Sequence, residues 1–498
     1  MSDQTQITIL LLVALGLFVS GRLRQDLIAF SALCAAGLLG LVPHETLFSG
    51  FGHPAVVSVA MVLIFSKTLQ IGGVLDPLVE RLSASPLGPR RLTFVLTLTA
   101  TGLSAFMNNV GALALVLPIS LEIAARRDIN PARFLIPVAF GSILGGLCTL
   151  IGTPPNLILS NLRAGLPGGK PFGMFEFAPV GAMVAVTGAL WSAFVAGRLF
   201  SGRETEPSEP EVDPSRSGSL DYVVPVGCRI EGRSPASLRF HTRAGVDILG
   251  IVRARGPVTN PLEDTVVRAG DRLVLHGDFD RTAEVAQTYG LLPLERQGLR
   301  LTKPRTPWAA PLCLAMALLL TTLGVFPIQL SLALFLPVLV LARSLTMRQL
   351  YEAIDWSTIV LLASLLPLGQ ALVDTGAADS LSETLATQLA GEAAWVALLA
   401  VFATTTALTN VLNNAATAAV MAPVVLPLAE PLNVSTDALL MTVALGASCA
   451  FLTPIAHQNN LLVMGPGRYR PVDFLRAGWP ITLWTGLVGV PTIVWLFG

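Results

Sequence analysis

The sequence predicts an all-α polytopic membrane protein: an inverted repeat of five spans plus a re-entrant hairpin in each half, with a small cytoplasmic α+β domain inserted between them. Three observations carry this expectation. The 498 residues are 53% hydrophobic and 13% charged, with a mean hydropathy of +0.67, which makes the bilayer the main solvent. Uncharged runs long enough for about 30 Å of hydrocarbon fall at 7–20, 26–43, 54–72, 134–162 and 177–197, and again at 307–323, 327–342, 357–373, 438–467 and 477–498. Two longer apolar stretches, 92–121 and 393–429, each carry an Asn pair at the middle, Asn108-Asn109 and Asn413-Asn414, set 305 residues apart.

The first run is followed by Arg22 and Arg24 with no small-residue cleavage site, so a retained first span is expected. At about 1.5 Å per residue each arm of the Asn-centred stretches falls short of a crossing, which favours re-entrant hairpins. Amphipathic stretches precede them, with Leu75, Leu78, Val79 and Leu82 in one half and Leu381, Leu385 and Leu389 in the other. The run from Thr149 through Gly152-Thr153-Pro154-Pro155-Asn156 matches the run from Thr453 through Ala456-His457-Gln458-Asn459-Asn460, 304 residues on. Three matches in one order divide the chain into a first repeat at 1–200, an insert at 201–303 and a second repeat at 304–498.

An odd number of crossings per half makes the repeat inverted. With both termini outside, Arg22, Arg24, Arg81, Arg90, Arg91, Arg126, Arg127, Arg133, Arg198, Arg203, Arg343, Arg348, Arg468, Arg470 and Arg476 all lie inside, and Arg163 and Lys170 outside. The same orientation places 201–303 in the cytoplasm. Lys+Arg 32 against Asp+Glu 32 gives no sign of a nucleic-acid partner; membrane lipid is the expected surrounding. Five scattered cysteines show neither metal-ligand spacing nor a disulfide framework.

The insert changes character. After the linker Glu204–Pro210 come β-like runs at 222–230, 247–253 and 272–276 and a helical tail at 280–289. Its segments Val224-Pro225-Val226-Gly227, Gly245 to Ile251 and Ala269 to Asp278 resemble the C-terminal ligand-sensing (TrkA-C) domain of potassium-uptake regulators. That resemblance implies a regulatory domain that binds a small effector.

Backbone broken in mid-membrane is tolerated where it lines a cavity, and four breaks are expected to converge at the midplane: the two Asn tips, Gly152 to Asn156, and His457 to Asn460. Pro154 and Pro155 free carbonyls such as that of Gly152 for a cation, and Asn and hydroxyl oxygens complete the hard ligand set that Na+ prefers. The second arm of each hairpin offers a helix N-terminus to an anion. No Asp, Glu, Lys or Arg lies within the hairpins or broken spans, and His457 is the sole titratable intramembrane candidate, so Na+ coupling is favoured, with a proton-coupled or uncoupled anion carrier, or a membrane anion sensor signalling through the insert, as the alternatives.

The paired hairpins and the Gly-Thr-Pro-Pro-Asn break resemble the divalent anion/sodium symporter (solute carrier 13) family across both membrane halves. The run Thr453 to Leu461 through Gly465-Pro466-Gly467-Arg468-Tyr469-Arg470, with the insert, is similar to its sulfate-permease-like branch. This implies a homodimeric sodium-coupled symporter of a small inorganic or organic anion, sulfate ahead of di- and tricarboxylates, working by an elevator motion. The family's tips read Ser-Asn-Thr; here Asn108-Asn109-Val110 and Asn413-Asn414-Ala415 keep the central Asn and the upstream hydroxyls Ser104 and Thr409. Gly152 and Ala456 stand where the family donates carbonyls, and His457 where it has a substrate-contacting Thr. The sodium candidates are thus Ser104, Asn108, Asn109, Gly152, Thr409, Asn413, Asn414 and Ala456. The anion candidates are Asn109, Val110, Thr153, Pro154, Asn414, Ala415, His457 and Gln458.

Overall fold

A computed structural model describes residues 2–20, 23–72, 87–127, 129–196, 199, 217–225, 228–238, 245–253, 256–257, 265–293, 308–389 and 391–498. Its contacts divide the chain into two units, Met1–Arg203 with Pro304–Gly498, and Glu204–Lys303. The amphipathic stretch at 75–82, the linker 204–210 and Arg22, Arg81, Arg198 and Arg203 lie outside the described residues.

The larger unit is helical. Before the insert come α1 (Asp3–Ser20), α2 (Gln25–Leu38), α3 (Pro54–Ile71), α4 (Pro89–Ser104), α5 (Asn109–Arg126), α6 (Ala132–Gly145), α7 (Pro154–Gly165) and α8 (Ala178–Trp191). After it come α9 (Ala309–Thr322), α10 (Ile328–Leu341), α11 (Met347–Ala353), α12 (Trp356–Asp374), α13 (Ala377–Leu389), α14 (Ala394–Thr409), α15 (Asn414–Val425), α16 (Thr436–Ala447), α17 (Gln458–Met464) and α18 (Pro471–Phe497). Among the described residues six helices are long and apolar enough to cross a membrane, and shorter apolar helices accompany them. The chain is a multi-pass membrane protein, and its surface agrees. Leu38, Leu341 and Trp495 are 87%, 82% and 81% exposed, as apolar side chains facing lipid or a partner surface are.

One expectation changes. The arm α5 reaches 18 residues and counts among the helices long enough to cross, because its apolar run carries on past Pro118 almost to Arg126. The runs 134–162 and 438–467 are broken, as their Gly, Pro and His interruptions lead one to expect. The first breaks into α6, a 3₁₀ turn and α7; the second into α16, a 3₁₀ turn at Pro454–Ala456 and α17. Thr153 and Thr453, each before a proline, are extended at φ −146° and −129°, as the following pyrrolidine ring demands.

Packing follows sequence order. In the first half α4 lies along α6; in the second α14 lies along α16. Both contacts depend on small residues: a Cβ on Gly145 would stand 2.1 Å from the Thr101 carbonyl oxygen, and one on Gly446 would stand 2.8 Å from Thr405 Cβ. The helix α12 packs on α2 and on α15, and the rings of Phe140 and Phe451 meet at 4.8 Å where the halves join. On α13 the expected apolar stripe is only part covered, with Leu381 43% exposed.

The smaller unit is a five-stranded antiparallel sheet in the order β3-β2-β4-β1-β5, from β1 (Ser217–Val223), β2 (Asp247–Arg253), β3 (Gly256–Pro257), β4 (Arg272–Asp278) and β5 (Leu292–Pro293), with the helix Phe279–Tyr289 packed on it. The first strand stops at Val223 instead of running through 222–230, because Pro225 has no N–H for the ladder. Tyr222, Val224, Ile230, Ile251, Leu273 and Leu275 make its core.

Candidate functional site

Each Asn pair sits where one helix ends and the next begins. Asn108 and Asn413 are extended residues whose side-chain oxygens cap α5 and α15, accepting from Gly111 N at 2.9 Å and Ala416 N at 2.8 Å. Caps of this kind hold two helix N-termini open toward one space. Asn108 Oδ1 also accepts from Ser66 Oγ of α3 at 2.8 Å, and Asn413 Nδ2 donates to Gln25 Oε1 of α2 at 3.1 Å. These side chains are therefore spent on capping and on the flanking helices, unlike their neighbours Asn109 and Asn414.

The breaks are stapled the same way twice. Asn156 Nδ2 donates to the carbonyls of Gly146 (3.3 Å) and Thr149 (2.9 Å), and Asn460 Nδ2 to those of Ala450 (2.9 Å) and Thr453 (3.0 Å). Every atom of the second set lies 304 residues after its counterpart. Likewise the hydroxyl of Thr149 donates to the Ala105 carbonyl, and that of Thr453 to the Asn410 carbonyl at 3.3 Å.

Beneath the tips lie two clusters of oxygen. One end of the Asn109 carboxamide is 2.9 Å from Ser104 Oγ and 3.2 Å from the carbonyl oxygens of Gly152 and Ser142. With the amide nitrogen at that end, its two N–H groups are shared among the three oxygens; with the amide oxygen there, the Ser104 hydroxyl donates to it while the carbonyl oxygens of Gly152 and Ser142 face it with no proton between, a set that a cation makes favourable. His457 bears on the other end. Its Nδ1 accepts from Asn459 N at 3.1 Å, so the neutral ring carries its proton on Nε2, 3.3 Å from Asn109. That proton suits the amide oxygen, and the cation-free arrangement is the one with nitrogen toward Gly152. Close approach requires glycine: a Cβ on Gly146 would lie 2.4 Å from Asn109 Oδ1, and one on Gly152 would lie 2.5 Å from the Gly146 carbonyl oxygen. In the second half Thr409 Oγ1 is 3.2 Å from Asn414 Oδ1 and 2.7 Å from the Ala447 carbonyl oxygen. Both donor sets are hard oxygens and fit Na+.

Between the tips is a cavity of about 210 Å³. Asn108, Asn109, Val110, Thr153 and Pro154 line it from the first half, and Asn413, Asn414, Ala415, Ala456, His457 and Gln458 from the second. Ser104, Gly152 and Thr409 are buried below and do not line it. Asn414 Nδ2 and Thr153 Oγ1 are buried without a hydrogen-bond partner, donors that an anion would satisfy. Asn459 ties the halves together by donating to the Asn109 carbonyl at 3.0 Å and to Ser142 Oγ at 2.7 Å.

Sequence reasoning missed part of this site. The carbonyls of Ser142 and Ala447 sit in featureless apolar helix; only their place 305 residues apart, beside the hydroxyl of each hairpin, marks them. Gln25, Asp355, Ser357 and Thr358 also line the cavity. Asp355 adds a second ionisable side chain beside His457 on the cavity wall: it is the cap of α12, with its oxygens on Thr358 N and Oγ1, at a position that reads as an ordinary helix start.

Comparison with known proteins agrees with this architecture. The citrate transporter family model matches residues 15–446. The transporter YfbS of Escherichia coli is 26% identical over 98% of this chain and 98% of its own. The probable sodium/sulfate cotransporter 3 of Chlamydomonas reinhardtii is 29% identical over 38% of this chain and 21% of its own. Among solved structures, MtrF of Neisseria gonorrhoeae, described with a class of antimetabolite efflux pumps, aligns over 100% of this chain and 96% of its own, with TM-score 0.54 at 13% identity, a likeness of fold. A match spanning most of the chain places it: this protein belongs to the citrate transporter family and is a transporter, not an enzyme.

Proposed function

We propose that the chain is a sodium-coupled importer of a small divalent anion, sulfate ahead of di- and tricarboxylates. The observation that carries this is the cavity shared by both hairpin tips, with hard-oxygen clusters beneath and amide and hydroxyl donors facing in. Among the described residues lining it there is no Lys or Arg, so an anion is held by dipoles, by the N-termini of α5 and α15 and by bound sodium. Na+ at Asn109 turns its oxygen down and its nitrogen toward the cavity, which converts an acceptor facing the anion into a donor. Sulfate, small and rich in acceptor oxygens, suits a 210 Å³ space lined by amides. Relatives named as sodium/sulfate cotransporters support the choice.

The halves act as inverted copies, a reading supported by the hydrogen bonds that recur 304 residues on. The chain dimerises, and the hairpins and broken helices slide against a scaffold that includes α2, α3 and α12. Both termini lie outside, and the insert is a cytoplasmic regulatory domain that takes a small effector. Uptake of labelled sulfate into proteoliposomes with and without an inward Na+ gradient tests the function. Uptake that rises several-fold with the gradient supports it; uptake indifferent to Na+ removes the coupling.

A further inference from the structure

Asp355 is the one carboxylate on the cavity wall and, His457 aside, its one ionisable side chain among the described residues. It caps α12, the helix that packs against α2 and α15. Nearby, Arg24 feels the charge of Asp355 but is committed to Asp26, 2.7 Å away. Among the described residues, Arg24, Asp26 and Asp355 together sum to one negative charge beside the cavity. A 210 Å³ space is small enough that any ion inside lies within about a Debye length, 8–10 Å, of that carboxylate, with low-dielectric walls that screen little. A fixed negative charge in an anion's cavity opposes the anion and attracts the cation.

We propose that Asp355 is a specificity-determining residue that makes anion entry conditional on cation occupancy. With sodium absent, Asp355 and the Asn109 oxygen both face the anion unfavourably; one bound sodium cancels the local negative charge, and one at each oxygen cluster reverses it. The inference rests on the anion-transport reading above. It assigns to the scaffold wall, not to the hairpins, the task of excluding an anion that arrives alone.

Asp355→Asn separates charge from structure, because asparagine caps a helix as well as aspartate does. In proteoliposomes, the variant is expected to bring the sulfate KM at low Na+ down about tenfold and to flatten its Na+ dependence, while Asp355→Glu keeps the wild-type curve. A sulfate KM and Na+ dependence of Asp355→Asn that superpose on wild type overturn the proposal. Should Asp355→Asn fail to fold, Asp355→Ser is the second neutral capping variant. If the wild type carries no sulfate, the transport reading falls by itself, and thermal unfolding with NaCl against choline chloride, without sulfate, decides this one. A Na+-induced rise in Tm that shrinks in Asp355→Asn supports it; equal rises, or none in either protein, overturn it.

Discussion

Gly146 has no room for a side chain, since a Cβ there would meet both Asn109 Oδ1 and, at 3.1 Å, the Gly152 carbonyl oxygen. Gly146→Ala is expected to push Asn109 out of its oxygen cluster, abolish Na+-stimulated uptake and cost about 1–3 kcal/mol; normal uptake would contradict the cluster. The second half carries Ala450 at the corresponding place, so Ala450→Gly should leave uptake within about twofold. Asn156→Ala and Asn460→Ala each orphan two buried carbonyls and are expected to cost about 1–3 kcal/mol apiece by thermal unfolding. Markedly unequal losses would argue against equivalent staples. At this scale the sequence was most legible where polar residues interrupt apolar runs twice, as at Asn109 and Asn414. Ser142, Ala447 and Asp355 were not legible, because a backbone carbonyl has no signature and a capping carboxylate looks the same whether it faces water or a cavity.

Among the described residues few charges join the helices, and one pair matters. Arg163, in the last turn of α7, reaches Asp437, in the first turn of α16, through two hydrogen bonds of 2.7 and 2.6 Å, and its guanidinium lies 4.3 Å from the centre of the Phe172 ring. The positions complement both helix dipoles. The side chains are 23% and 27% exposed, so water screens part of the attraction. A double-mutant cycle of Arg163→Ala and Asp437→Ala is expected to show about 1–2 kcal/mol of coupling, and Arg163→Lys to lose much of it because an ammonium cannot make the bidentate contact. Coupling near zero would refute the pair's role in joining the halves. Linear reading saw Arg163 only as an exterior charge, since its partner lies 274 residues on. Helix breaks were legible through Gly and Pro; the length of α5 was not, because Pro118 marks no end in a helix whose neighbours surround it.

The molecule as a whole is two units that the composition shift at 204 already separates. Deleting 204–303 is expected to leave a monodisperse membrane unit that still carries anion, with regulation altered; a folded deletion without flux would show that the insert belongs to the transport machinery. Repetition made the tertiary plan legible, since two copies of one pattern must build similar surfaces that meet. What the pattern cannot convey is the wall that faces them. The most direct measurement is an anomalous-diffraction structure with Na+ and selenate, the selenium analogue of sulfate. A selenium peak between Asn109 and Asn414, within hydrogen-bond reach of Thr153 and Asn414 Nδ2, is the predicted result; a peak elsewhere, with this cavity holding no anion, would contradict the account.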